Sequence, residues 1–170
     1  MAMVQLPPPA AGCRAIAVAD MPWLRPQALI LRGLPGAGKS HWARQLCDQL
    51  LPQWPQPQRY CGICTTDDYF ERADGYHFDG RLLAAAHQWN QQRFAALCQQ
   101  QWPLLICANT NLQQREWQPY AAMAAAAGYR LRILLLGQPQ DESHQALCAA
   151  RNSHGVSAAA IAAMARRFEP

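Results

Sequence analysis

Eight consecutive residues, Gly33-Leu34-Pro35-Gly36-Ala37-Gly38-Lys39-Ser40, constrain what this chain can fold into more than any other feature. They follow the apolar run Ala28-Leu29-Ile30-Leu31 and lead into Lys39 to Leu51, a stretch with helical periodicity. Strand, glycine-rich turn and helix in that order are the setting in which the pattern G-x-x-x-x-G-K-[ST] holds phosphate. Its glycines let backbone N–H groups converge on phosphate oxygens, and the helix adds the positive end of its dipole. The pattern therefore predicts a segment that binds ATP or GTP, made of Gly33, Leu34, Pro35, Gly36, Ala37, Gly38, Lys39, Ser40 and His41. In it Lys39 reaches the β- and γ-phosphates and the Ser40 hydroxyl ligates Mg²⁺.

Lys39 is the only lysine in the chain, every other positive side chain being arginine. A flat guanidinium fork cannot replace a compact ammonium on a flexible stem where space is tight, so this position demands lysine chemistry.

The remaining elements alternate. Short strands are expected at Tyr60 to Thr65, Trp102 to Ala108 and Tyr129 to Leu136, with helices at Arg81 to Gln100, capped by Asp79, and at Gln113 to Ala127, ended by Gly128. Arg72 to Gly80 reads as a loop, and two further helices, Asp141 to Arg151 and Ser157 to Phe168, flank a glycine-containing turn. The β-α-β-α-β-α-β order implies a parallel sheet with right-handed crossovers and ligands at the carboxyl ends of its strands. The expectation is an α/β chain, a P-loop NTPase three-layer α/β/α sandwich with a mainly parallel sheet and a C-terminal helical lid. With 170 residues, half of them apolar, there is material for one such domain over 27–170, preceded by a proline-rich leader over 1–26.

No apolar run approaches the length of a membrane span, and the N-terminus lacks the features of a secretory signal. Seven cysteines without a disulfide-framework spacing suit a reducing cytosol. Cys61 and Cys64 form one C-x-x-C with no second ligand pair, so buried strand cysteines are expected and a structural metal is not. The net charge of +4 decides nothing by itself.

Asp67 and Asp68 follow the second strand, where a carboxylate can take the proton of an attacking hydroxyl or hold magnesium through water. His87 is expected on the inner face of its helix as a hydrogen-bonded structural histidine. Trp89, Trp117 and Tyr120 could stack on bases, although core packing is the default for aromatics at helical spacing.

The loop just described, together with Thr66-Asp67-Asp68-Tyr69, Asn109-Thr110-Asn111-Leu112 and Arg151-Asn152, resembles the kinase domain of the polynucleotide kinase family and its small ATP-binding AAA-type relatives. Tyr76-His77-Phe78-Asp79 and Asn152-Ser153-His154-Gly155-Val156 extend the likeness, which runs from about Ala28 to Glu169. The resemblance implies that Asp67 is the general base for the acceptor hydroxyl and that Arg151 on the lid stabilises the transferring phosphate. It places Asp68, Asn109, Thr110 and Asn111 near the acceptor. Phe70 stands where a polynucleotide kinase has an arginine, and Ala108 where the small relatives carry an aspartate before Asn-Thr-Asn. The reaction implied is ATP- and Mg²⁺-dependent transfer to a hydroxyl in the cytoplasm, the 5′-hydroxyl of a nucleic acid being the leading acceptor. A small metabolite, nucleoside or nucleotide is the alternative acceptor, and an ATP-binding switch without transfer is the alternative function.

Overall fold

The computed structural model describes residues 25–170, so the expected leader lies outside the described residues except for its last two positions. Its central sheet holds β1 (Gln27–Arg32), β2 (Ile63–Cys64), β5 (Leu104–Cys107) and β6 (Arg130–Leu135) in the order β2-β5-β1-β6, every pairing parallel. β1 and β5 are central because their residues are apolar on both faces: Ala28, Ile30, Leu31, Leu105, Ile106 and Cys107 are wholly buried. The right-handed crossover rule sets α1 (Lys39–Leu50) on one face and α2 (Leu83–Gln99) with α3 (Gln114–Ala126) on the other. α2 and α3 pack on each other there, with Phe94 set edge-on against Tyr120 at 5.2 Å. The result is the expected α/β P-loop sandwich with a mainly parallel sheet.

Local sequence starts and stops these elements. Asp79 accepts from Arg81 N–H at 3.0 Å and caps the turn that runs into α2. The Glu116 carboxylate accepts from Leu112 N–H at 2.8 Å at the start of α3, and Gly128, in the left-handed region at φ 81°, follows its end.

Two expectations change. The second strand shrinks to Ile63–Cys64, because Gln58–Tyr60 forms a 3-10 turn whose Tyr60 hydroxyl donates to Asp48 at 2.7 Å. The loop expected over 72–80 contains a small antiparallel hairpin, β3 (Glu71–Arg72) with β4 (Gly75–Tyr76). Cys64 is a buried free thiol in β2, as expected of a small strand hydrophobe, whereas Cys61 is buried in the turn before β2, outside the strand, and is disulfide-bonded. Among the described residues no helix is long and apolar enough to cross a membrane, and no cluster of His, Cys, Asp or Glu is arranged to hold a metal ion.

A second, smaller core fastens the C-terminal helices α4 (Glu142–Arg151) and α5 (Ala158–Arg166) to the rest. Cys148, Ile161 and Ala165 bury against Leu34 from the turn after β1 and Leu112 from the segment after β5. Arg32, the last residue of β1, reinforces the joint. Its buried guanidinium donates to the carbonyls of Asn111 (2.9 Å), Leu112 (3.1 Å) and Glu169, and lies over the rings of Trp117 and Phe168. Replacing Arg32 by Ala strips three carbonyls of their donor at once and is expected to cost about 2–4 kcal/mol. Urea midpoints would read this, with Arg32→Lys recovering less than half because an ammonium lacks the fork.

Candidate functional site

The turn after β1 is shaped by backbone contacts that only its glycines permit. Gly33 N–H donates to Thr110 O at 2.9 Å and Ala37 N–H to Leu34 O at 3.1 Å. Gly36 sits at φ 83°, and a Cβ there would fall 2.2 Å from the carbonyl oxygen of Cys148 and 3.0 Å from the Asn152 nitrogen. The phosphate loop and the end of α4 are thus in direct backbone contact, and a side chain at 36 would push them apart.

Lys39 lies beneath this turn. It is 8% exposed, and its ammonium donates to Gly33 O at 2.9 Å and Leu34 O at 2.8 Å. Burial pushes its pKa down to about 8, against the opposing pull of Asp67 and Cys148. No side chain caps α1, so the N–H groups of its first turn remain available to an anion. Ser40 and His41 are exposed on that turn. An uncapped helix end, a buried ammonium and a bare glycine backbone fit nucleotide phosphates, and the exposed Ser40 hydroxyl fits a phosphate-bound Mg²⁺.

These groups open onto a cavity of about 630 Å³ bounded by the loop, the turn after β2, the end of β5 and the α4–α5 connection. Pro35, Gly36, Gly38, Lys39, Ser40 and His41 line it, whereas Leu34 is buried in the second core and Gly33 and Ala37 shape the turn behind. Asp67 faces the same space from a 3-10 turn, Thr66–Phe70, begun by Thr65 Oγ1 accepting from Asp67 N–H at 3.3 Å. Its carboxylate accepts from the Tyr76 hydroxyl at 3.2 Å and lies 3.7 Å from His154 Nε2 on the α4–α5 connection. The Tyr76 phenol is pushed up by burial and by the Asp67 charge.

Asn109 holds this turn in place. Its Oδ1 accepts from Thr66 N–H (2.8 Å) and from Thr66 Oγ1 (3.0 Å), while its Nδ2 donates to the buried Tyr120 hydroxyl. Asn111, at φ 49°, donates through Nδ2 to Leu31 O at 2.7 Å and anchors the segment after β5 to β1. Both line the cavity, but their amide groups are engaged with protein partners; Thr110 between them is half-buried and lines it too. Asp68, expected beside the acceptor, does not line the cavity and is paired with Arg93, which also donates to Ile63 O at 3.0 Å. Arg151 ends α4, exposed and lining the cavity. Behind it the Asn152 side chain accepts from Val156 N–H at 2.8 Å and donates to Val156 O at 3.0 Å, closing the lid turn on itself.

His87 departs from its expected inward position. It is exposed on the cavity wall, with Nδ1 3.3 Å from Thr66 Oγ1, because its face of α2 opens on the cavity and not on the sheet. Trp117 and Tyr120 follow the core default, Trp117 packed on the main core beneath Arg32 and Tyr120 wholly buried, whereas Trp89 is half-buried outside both cores, edge-on against Tyr69. Sequence reasoning gave no role to Tyr76 and His154, the two side chains that reach Asp67; their only signal was their place in the Tyr76-His77-Phe78-Asp79 and Asn152-to-Val156 patterns.

Fold and cavity together define a P-loop nucleotide-binding domain. Residues 29–170 match the family model described as AAA domain, and the chain belongs to that family. It is similar to NEDD4-binding protein 2 of Homo sapiens, 36% identical over 143 residues that make up 83% of this chain and 8% of that protein.

The depressed Lys39 pKa separates stability from binding. Between about 8 and its ordinary 10.5 the unfolded chain holds the proton that the folded chain has released, so nucleotide-free stability gains a component that rises with pH. Affinity for a nucleoside triphosphate falls over the same window as the ammonium is lost. Thermal unfolding and nucleotide titration from about pH 7 to about pH 10 are expected to show both trends, and Lys39→Met to lose them.

Proposed function

We propose that this domain transfers the γ-phosphate of ATP to a hydroxyl, the 5′-hydroxyl of a nucleic acid end being the leading acceptor. The observation that carries the reading is that Asp67 lines the same cavity as Lys39, near enough for its charge to oppose the loss of the Lys39 proton. A carboxylate so placed, steadied by Tyr76 and by the Asn109 clamp on its turn, takes the proton of an acceptor alcohol as that oxygen attacks phosphorus. The new bond is acceptor oxygen to phosphorus, the bond to the β-phosphate oxygen breaks, and ADP leaves with that electron pair. Lys39, the loop N–H groups and Arg151 hold and stabilise the charge on the transferring group. Mg²⁺, held through Ser40, supplies charge neutralisation across the phosphates.

The family membership supports a nucleotide-dependent reaction, and the likeness of Thr66-Asp67-Asp68-Tyr69 and Arg151-Asn152 to polynucleotide kinases supports the acceptor. Incubation with γ-labelled ATP, Mg²⁺ and either a 5′-hydroxyl oligonucleotide or a nucleoside tests both. Labelled oligonucleotide 5′ ends are the expected result; label on the nucleoside alone would reassign the acceptor. Asp67→Asn is expected to lower kcat by about 10²–10⁴, and unchanged turnover would remove Asp67 from the base role. Lys39→Arg is expected to lower turnover strongly despite the retained charge, since a guanidinium does not fit between Gly33 O and Leu34 O.

A further inference from the structure

Among the described residues Phe78 is the most exposed of the large hydrophobic residues, at 58%, and it lines the cavity that holds Asp67. Leaving a phenyl ring in water forgoes burial free energy on the order of 25 cal/mol for each Å², yet the ring is held in place. Phe70, 2% exposed, supports it at 5.1 Å between ring centres. Phe70 is itself flanked by Tyr69 at 5.4 Å and Tyr76 at 6.2 Å, and Tyr69 rests on Trp89. The backbone is fixed on both sides of Phe78: His77 N–H donates to Phe70 O at 2.9 Å, and Asp79 caps the following turn. A chain of aromatic contacts therefore runs from α2 to the cavity rim and ends on an open ring face.

The charge of this wall points the same way. Among the described residues, those lining the cavity between positions 66 and 116 include no arginine or lysine; the cations come from the phosphate loop and from Arg151 and Arg167 on the lid side. An acceptor lying along the 66–116 wall meets the carboxylates of Asp67 and Glu116, which repel a phosphate, and the exposed side chains of Phe78 and Leu83, with no guanidinium among them. A planar, uncharged group is what such a surface takes up, and on a nucleic acid end that group is the terminal base.

Resting on the acceptor reading above, we infer that Phe78 is a specificity-determining residue whose ring stacks on the base of the 5′-terminal nucleotide and so presents its hydroxyl to Asp67. Asp67 performs the chemistry; Phe78 acts on acceptor binding, and no base-edge contact is required, so the preference is for a base over no base and not for one base over another.

The test uses the full chain with Mg²⁺, a non-hydrolysable ATP analogue and two short single-stranded 5′-hydroxyl oligonucleotides that differ only in carrying, or lacking, the terminal base. Wild type is expected to bind the complete oligonucleotide about tenfold or more tightly than the abasic one. Phe78→Ala is expected to lose that difference while binding the abasic oligonucleotide as wild type does, and Phe78→Trp to retain it. In turnover with ATP the Phe78→Ala loss falls on KM. Equal binding of the two oligonucleotides by wild type, or an equal loss on both in Phe78→Ala, overturns the stacking role. Base-dependent binding through Phe78 without any phosphorylation keeps the platform and removes the transfer reading; phosphorylation of both oligonucleotides with equal KM keeps the transfer and removes the platform.

Discussion

A single buried ammonium organises this domain. Lys39 can be buried only because two carbonyls of the preceding turn, Gly33 O and Leu34 O, receive its protons, and a turn that brings both carbonyls onto one ammonium needs glycine backbone. Burial weakens the hold of Lys39 on its proton, so the site is held in a state that gains from an arriving phosphate, whose charge replaces the solvation that folding removed. The strand before the turn and the helix after it follow from the same requirement: one delivers the loop to the carboxyl edge of the sheet, and the other brings its uncapped dipole end.

The lid is the second consequence of that turn. Gly36 touches the backbone at Cys148 and Asn152, Leu34 fills the small core beneath α4 and α5, and Arg32 ties Glu169 to the segment after β5. Three successive features of one short segment thus attach the C-terminal helices to the phosphate loop. Arg151 and His154 reach the cavity because their helix pair is mounted on the loop it covers. Any motion of the lid acts on the loop directly, through the backbone contact at Gly36 and the packing of Leu34.

Much of this was legible before any coordinates. The run Ala28 to Leu31, the glycine pattern and the helical period after it specify β1, the loop and α1, and the alternation of elements with right-handed crossovers specifies a parallel sheet. What stayed hidden depends on contacts distant in sequence. Asp67 and Asp68 are equivalent as letters; the 3-10 turn separates them, one carboxylate going to the cavity and the other to Arg93. Asn109 and Asn111 read as polar groups near an acceptor, but their partners are Thr66 and Leu31, across the sheet edge. The hairpin at 71–76 escaped because two-residue strands show no alternation. Phe70, where the family resemblance calls for arginine, is the support for Phe78, and Ala108 leaves the end of β5 without an acid.

The turn above Lys39 is proposed to hold the phosphates of a nucleoside triphosphate. Calorimetric titration of the full chain with a non-hydrolysable ATP analogue and Mg²⁺ measures this directly. One saturable site per chain is expected, lost in Lys39→Met and in Gly36→Val, and retained in Phe78→Ala. Absence of binding by the wild-type chain, or undiminished binding by Lys39→Met, would contradict it.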